Sequence, residues 1–499
     1  MIKIYPEVVE KYEKNKDNIG AQIFGNRFIQ DQTLYEYLIE FLLVFVSAKE
    51  NDLKTGKLRF HKTGKCLLQY WVEPRMGLKR FIFYDKSQKN RNLPIDEEAY
   101  QELIRTLKKN IPYGNETDKN EIINGIQDLL HGYAVIIKKR NWCAQALLPA
   151  CPEMIFPDVM PAENKRRVLT WSDNADIVDT KFEFSKRNFL ARGGEVYYLH
   201  ILEALEDDSM SLQREKLEKL LTHMLTGENK KLSYLCNFVQ NSWEKTMGFN
   251  KEDLSERISL SFIPKEAYLE AGRNTVKELI NYLSCELPSI NRIEILAKGV
   301  MFQIMRMMSW RVDEVTNDKK YWIVDMKGGS TDSVKKIAAK SYRDIEDGFL
   351  TALNSSAREI NIDKAEYMKK LNKAKKASMD TFRIKGKEIQ CIIPTNGPFE
   401  RFTLSEDITI FLVLSLIPPK QKMTLNMFLE KLYSSYRIII GPVQYKKSVN
   451  NNGLDDSLTN SFVENAEAFQ LFLKSTGFLR ELSDATSVVI NPYDCVAED

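Results

Sequence analysis

The run Arg311-Val312-Asp313-Glu314-Val315-Thr316-Asn317-Asp318-Lys319-Lys320-Tyr321-Trp322-Ile323-Val324-Asp325-Met326-Lys327 decides how the middle of this chain is read. Residues 311–315 and 321–327 are rich in β-branched and aromatic types, the segment between them is polar, and Gly328-Gly329 follows. This pattern predicts two strands in a hairpin, set between helices in the stretch from Ser289 to Ala357. Alternation then puts Tyr321, Ile323, Asp325 and Lys327 on one face and Trp322, Val324 and Met326 on the other. A carboxylate and an ammonium sharing one face of an apolar strand is the arrangement in this sequence best suited to chemistry.

That arrangement resembles the core of the PD-(D/E)xK nuclease superfamily, where a helix precedes a sheet, one strand supplies an Asp, and the next supplies an acidic-x-Lys triplet. The resemblance implies that Asp313 and Asp325 hold Mg²⁺ and that Lys327 positions or activates the attacking water. Glu294, on the preceding helix, is an optional further ligand. Two carboxylates fixing Mg²⁺ polarise a phosphate and lower the pKa of bound water. This sequence lacks the Pro before the first Asp and has Asp, not the commoner Glu, in the triplet. The competing reading, which is preferred, is a surface hairpin with Asp325 and Lys327 solvated and Glu294 paired with Lys298 one turn along its helix.

At 499 residues the chain exceeds one hydrophobic core, and about two to four domains are expected. The fold class expected is multidomain α/β. A mixed α/β region spans 1–160, a helical domain 161–288, an α/β core with a basic helix 289–400, and a winged-helix-like domain 401–499. With 72 basic and 69 acidic residues the net charge is +3, so a nucleic-acid surface would have to be a local patch. The seven cysteines are scattered, with no Cys-x-x-Cys, which argues for a reducing compartment and against a disulfide framework or zinc site. The chain opens without a basic-then-apolar leader, and Lys-, Ile- and Asn-rich usage points to a prokaryotic cytoplasmic protein. Residues 34–46 are apolar but carry Glu36 and Glu40 and fall short of the roughly 20 residues a membrane span needs, so a buried helix is expected and no membrane partner.

Taken in order, Thr33 is placed to cap that helix. Strands are predicted at 57–61, 66–72 and 79–84, and helices at 97–109 and 119–131. Pro149, Pro152, Pro157 and Pro161 mark a boundary. Helical spacing covers 196–205, 212–225, 232–247 and 264–285, and later 334–353 and 365–379. A second hairpin is predicted from 382–384 and 388–393 around Lys385-Gly386-Lys387. After residue 400, Ser405 and Thr424 open two helices, a Gly- and Asn-containing loop (441–453) leads to a third, and strands 478–482 and 486–490 close the chain. Three helices followed by a two-stranded wing is similar to the winged-helix fold. Its third helix follows Asp455 and Asp456 and carries Glu464 and Glu467, so it is expected to pack against protein rather than enter a duplex.

Candidate phosphate contacts are Lys369, Lys370, Lys373, Lys375 and Lys376, against the plainer reading of a solvated helix face. Shorter basic runs stand at Lys138-Lys139-Arg140 and Lys165-Arg166-Arg167. Gly193-Gly194 behind Arg192 suits either an anion at a helix N-terminus or a tight helix–helix contact, the second preferred. There is no Gly-x-x-x-x-Gly-Lys or Gly-x-Gly-x-x-Gly, so no nucleotide cofactor is expected, and Mg²⁺ enters only with the nuclease reading. His200 and His223 sit in apolar stretches and are expected to be satisfied core histidines. The function expected is a non-catalytic subunit of a prokaryotic multi-protein assembly acting on DNA, in an antiviral or DNA-maintenance setting. A Mg²⁺-dependent nuclease and a protein–protein adaptor are the alternatives.

Overall fold

Helices dominate this chain, and its strands are short and gathered into sheets of two or three. The computed structural model describes residues 3–7, 13, 17–26, 28–51, 56–62, 68–73, 75–87, 94–135, 142–157, 160–161, 182–183, 192–247, 256–328, 333–357, 363–449, 456–482 and 486–496. It divides into two compact units, one of residues 31–195 with 221–260, the other of 1–30, 196–220 and 261–499. Among the described residues no helix is long and apolar enough to cross a membrane.

In the first unit the Leu34–Val46 helix starts at a capping box: Thr33 N donates to Glu36 Oε2 at 2.7 Å and Glu36 N to Thr33 Oγ1 at 3.3 Å. Gln69–Val72 pairs antiparallel with Glu256–Ser259. Residues 57–61 form no regular strand, and 79–84, also expected as a strand, instead belong mainly to the Met76–Phe83 helix. That helix is buried on every side, so its sequence shows no polar face from which a 3.6-residue period can be read. Its two cations both find partners inside. Lys79 Nζ donates to the carbonyls of Cys143 and Pro157. Arg80 donates to Asp96 Oδ1 at 3.0 Å and lies 4.9 Å from the ring centroids of both Trp142 and Trp243.

In the second unit, Ser289–Thr316 is one continuous helix of 28 residues. Residues 311–315, expected as a strand, are its last turn. Val312 and Val315 are three apart, a spacing that fits a helical face as well as a strand's core contacts, and the unbroken buried run 300–310 carries the helix through them. The helix stops where Asn317 turns left-handed (φ 51°) and donates its N–H to Asp313 O. Trp322–Ile323 then pairs in parallel with Ile438–Ile439 instead of forming a hairpin. The second expected hairpin is also absent. Thr381–Glu388 is helical and joins Lys364–Lys375 through a π-helical turn at Lys376–Asp380. Gly386 faces Ile392, whose Cδ1 would lie 2.2 Å from an added Cβ, so a bare glycine lets this helix meet the following strand. Ile392–Ile393 pairs with Arg401–Phe402. Pro264, expected to open a helix, instead lies in the strand Ile263–Pro264, which pairs with Ile4–Tyr5, and the helix begins at Leu269.

Beyond residue 400 the expected helices are present at Glu406–Leu416, Leu425–Tyr436 and Asp456–Ser475, with a further short helix, Pro442–Ser448, inside the expected loop. Leu479–Glu481 and Ser487–Ile490 pair as expected, and Lys422–Thr424 adds a third strand on the other edge of Ser487–Ile490.

At the centre of this unit lies a charged network shut off from water. Arg306 Nη1 donates to Glu278 Oε1 (2.7 Å) and Ser435 O (3.1 Å), and Nη2 donates to Thr275 Oγ1 (2.7 Å) and Ala271 O (3.3 Å). Glu278 Oε2 accepts from Gln303 Nε2 (2.7 Å) and Tyr436 OH (2.5 Å), and Tyr197 OH donates to Gln303 Oε1 (2.6 Å). Arg306→Ala would leave Glu278 buried without its counter-charge, which costs about 3–5 kcal/mol. A corresponding drop in the denaturant midpoint, far larger than for a surface Arg→Ala, is the expected result.

Candidate functional site

Residues 313–328 hold the three side chains singled out by the sequence. Ile323 packs with Val334, Ala338, Ile439 and Phe462, and the Trp322 ring stacks on Phe402 with centroids 4.8 Å apart. Asn465 ties the segment down: its Nδ2 donates to Val324 O and Ile440 O, both at 2.9 Å, and its Oδ1 accepts from Met326 N at 2.8 Å.

Asp313, on the last turns of the Ser289–Thr316 helix, is buried. Its Oδ2 accepts from Arg437 Nη1 (2.6 Å) and Lys320 N (3.1 Å). The Arg437 guanidinium lies 4.2 Å from the Trp310 ring centroid. Asp325, also buried, accepts from Arg401 Nε at Oδ2 (2.7 Å) and from Gly328 N at Oδ1 (3.0 Å). Lys320 and Asp325 are the two ends of an extended run of about 3.3 Å per residue, or roughly 17 Å in all. The structure therefore sets the two carboxylates on separate arginines rather than around one point. Lys327, half-exposed, pairs with Glu464. Glu294 is exposed, and Lys298, expected to pair with it, instead reaches Asp407. Among the described residues no group of three or more His, Cys, Asp or Glu is placed to hold a metal.

Beside this segment opens a cleft of about 680 Å³, lined among others by Lys319, Tyr321, Lys340, Asp344, Asp347 and Tyr445. Tyr321 stacks on Tyr433 with centroids 5.4 Å apart. The lining mixes both charges with aromatic faces.

The lysine-rich helix is sorted by its packing. Leu371 and Ala374 are buried, and the helix lies on the Ser333–Ala357 and Ile19–Phe24 helices. Lys370 is turned toward Glu366 (3.2 Å) and Asp17 (3.9 Å), and Lys375 is half-buried. Lys369, Lys373 and Lys376 are exposed and have no acidic partner among the described residues. Their i, i+4, i+7 spacing puts them on one face. Inside the π-helical turn that starts at Lys376, Ser378 Oγ donates to Ala374 O (2.7 Å) and Thr381 Oγ1 to Lys376 O (3.1 Å). The runs Lys138-Lys139-Arg140 and Lys165-Arg166-Arg167 lie outside the described residues.

The glycine pair has an anion of its own. Glu40 accepts from Arg192 N at Oε1 and from Gly194 N at Oε2, both at 2.7 Å, so a carboxylate from the Leu34–Val46 helix caps the Gly193–Ala204 helix. A Cβ on Gly194 would sit 2.4 Å from Tyr37 O, which makes the contact tight as well as charged. Glu40 could have been suspected from sequence, since a carboxylate inside an apolar run needs buried partners. His200 is buried, meets Thr275 Oγ1 at 3.1 Å through Nε2, and is held neutral, its pKa pushed down to about 3 by burial.

No family model matches the chain, and neither does any curated protein or solved structure.

Burial raises the Asp313 carboxyl to about 6, and the Lys320 N–H and Arg437 only partly offset it. The group therefore binds its proton more tightly folded than unfolded. Its contribution is present below pH about 4 and is lost as pH rises toward about 6. Denaturation across this range should show wild type losing stability relative to Asp313→Asn as pH rises, with the two curves parallel at higher pH.

Proposed function

We propose that this chain is a non-catalytic subunit of a multi-protein assembly acting on DNA, in which the Lys364–Lys375 helix and its π-helical extension contact phosphates. The observation that carries the reading is the exposed face formed by Lys369, Lys373 and Lys376, which have no acidic partner among the described residues. At about 1.5 Å rise per residue, Lys369 and Lys373 are separated by about 6 Å along the helix. That is close to two phosphate steps of one duplex strand at about 3.4 Å each.

The C-terminal region supports the scaffolding half of the proposal. Its three long helices, Glu406–Leu416, Leu425–Tyr436 and Asp456–Ser475, are followed by two strands, and with Lys422–Thr424 these form a sheet whose middle strand is the last, an arrangement that resembles a winged helix with the Ile438–Ile439 strand and the Pro442–Ser448 helix inserted. On its long third helix, Glu467 and the Lys327-paired Glu464 are exposed beside Val463 (39% exposed) and Leu471 (64%). Such a face offers a duplex no positive charge, and its exposed apolar pair suits a protein partner.

Fluorescence anisotropy with a labelled duplex over a salt series tests the reading. Wild type should bind with a log–log salt slope steeper by about 2.7 than that of Lys369→Glu/Lys373→Glu/Lys376→Glu, at about 0.9 per phosphate contact. Equal slopes would remove the helix from the interface, and absence of binding at low salt would leave the adaptor alternative. The same incubations with Mg²⁺ cover the nuclease: duplex cleavage lost in both Asp325→Ala and Lys327→Ala would replace this proposal.

A further inference from the structure

Cys285 follows the Leu269–Leu283 helix and Cys495 lies near the end of the chain, yet the two face each other across an isolated antiparallel bridge. Glu286 N donates to Asp494 O and Val496 N to Ser284 O, both at 2.8 Å. These bonds flank the cysteines rather than join them, so the two form a non-hydrogen-bonded pair, in which opposed Cα atoms lie about 4.5 Å apart. A disulfide needs a Cα separation of about 4.4–6.8 Å. The backbone is therefore already set for one.

The terminal segment is held in place before it reaches the bridge. Asn491 N donates to Gln421 O (3.0 Å), its Nδ2 to Ile417 O (2.8 Å), and Lys420 N to Tyr493 O (3.2 Å). The two thiols are unlike. Cys495 is exposed, while Cys285 is buried, with its Sγ 3.3 Å from the donating Asn491 Nδ2 and 3.4 Å from Asn281 O. Burial pushes the Cys285 thiol up to about 11, so the exposed partner meets an oxidant first.

We propose that Cys285 and Cys495 are a reversible disulfide pair, closed by a small-molecule disulfide, which staples the C-terminal segment to the end of the Leu269–Leu283 helix. Cys495 thiolate attacks one sulfur of the small disulfide, its S–S bond breaks, and one thiolate leaves and takes up a proton. Cys285 then loses its proton to solvent, its sulfur attacks Cys495 Sγ, and the second small thiolate leaves and is protonated. Two cysteine thiols become one disulfide, and one small disulfide becomes two thiols. The exposure of Cys495 and a Cα separation at the short end of the range make the bond reducible.

The test is non-reducing peptide mapping by mass spectrometry of the full-length protein after incubation with oxidised glutathione. The expected result is a joined peptide pair carrying Cys285 and Cys495, lighter by two hydrogens than the separate peptides, with no glutathione retained and both thiols restored by dithiothreitol. Cys285→Ser should stop at a glutathione adduct on Cys495, and the surface change Cys495→Ser should leave Cys285 unmodified. Wild type that keeps glutathione on Cys495 without the joined pair, or reacts at neither cysteine, overturns the proposal. That reading needs no variant to fold.

Discussion

Arg306 is fully buried, and the larger unit is built around that fact. A guanidinium taken out of water is tolerated only when its donors find acceptors and its charge finds a counter-charge. Glu278 supplies the charge from the Leu269–Leu283 helix, and Thr275 and Ala271 supply acceptors from the same helix. Ser435 adds a carbonyl and Tyr436 an aromatic face 4.3 Å away. Gln303 and Tyr197 complete the carboxylate's side. Because each group is needed by another, the four helices that carry them are held in one mutual register. An apolar core of the same volume would admit several.

The same logic extends to the ends of these helices. Arg437 follows the Leu425–Tyr436 helix in a left-handed conformation (φ 58°) and spans Asp313 and Trp310, while its carbonyl accepts from Trp322 N at 2.9 Å. One residue therefore joins two helices and the short parallel strand pair. Arg401 does the corresponding work for Asp325. The carboxylates that stand out in the sequence as candidates for chemistry are occupied by arginines that hold the segment in place. Desolvation explains both features: a buried acid stands out in an apolar strand, and it has to be paired.

Charge left over from such pairing is where a partner is sought. The lysine-rich helix shows how the sorting is done. Leu371 and Ala374 fix its inward face, Lys370 falls beside Glu366 and Asp17, and Lys369, Lys373 and Lys376 remain outside. Composition alone weighs five lysines equally. Glu40 is the opposite case, a single carboxylate whose position in an apolar run looked incidental and which caps another helix through two backbone N–H groups.

Local signals set by neighbours in the chain were legible in the sequence. The Thr33 capping box, the amphipathic helices around 97–131 and 211–247, and the three helices and closing strand pair after residue 400 all follow from capping and periodicity. What failed was any element buried on all sides or decided by a distant partner. Residues 79–84 are helical because surrounding side chains cover every face, residues 311–315 because the buried run 300–310 carries its helix through them, and residues 382–393 form no hairpin because the π-helical turn carries the preceding helix through Phe382. The parallel pairing of Trp322–Ile323 with Ile438–Ile439, the arginine on each carboxylate and the opposition of Cys285 to Cys495 join residues far apart in the chain. No spacing rule reaches that far. Periodicity and caps are local free-energy preferences and can be read from sequence, whereas pairing across the fold depends on which buried groups need one another, and only the tertiary structure decides that.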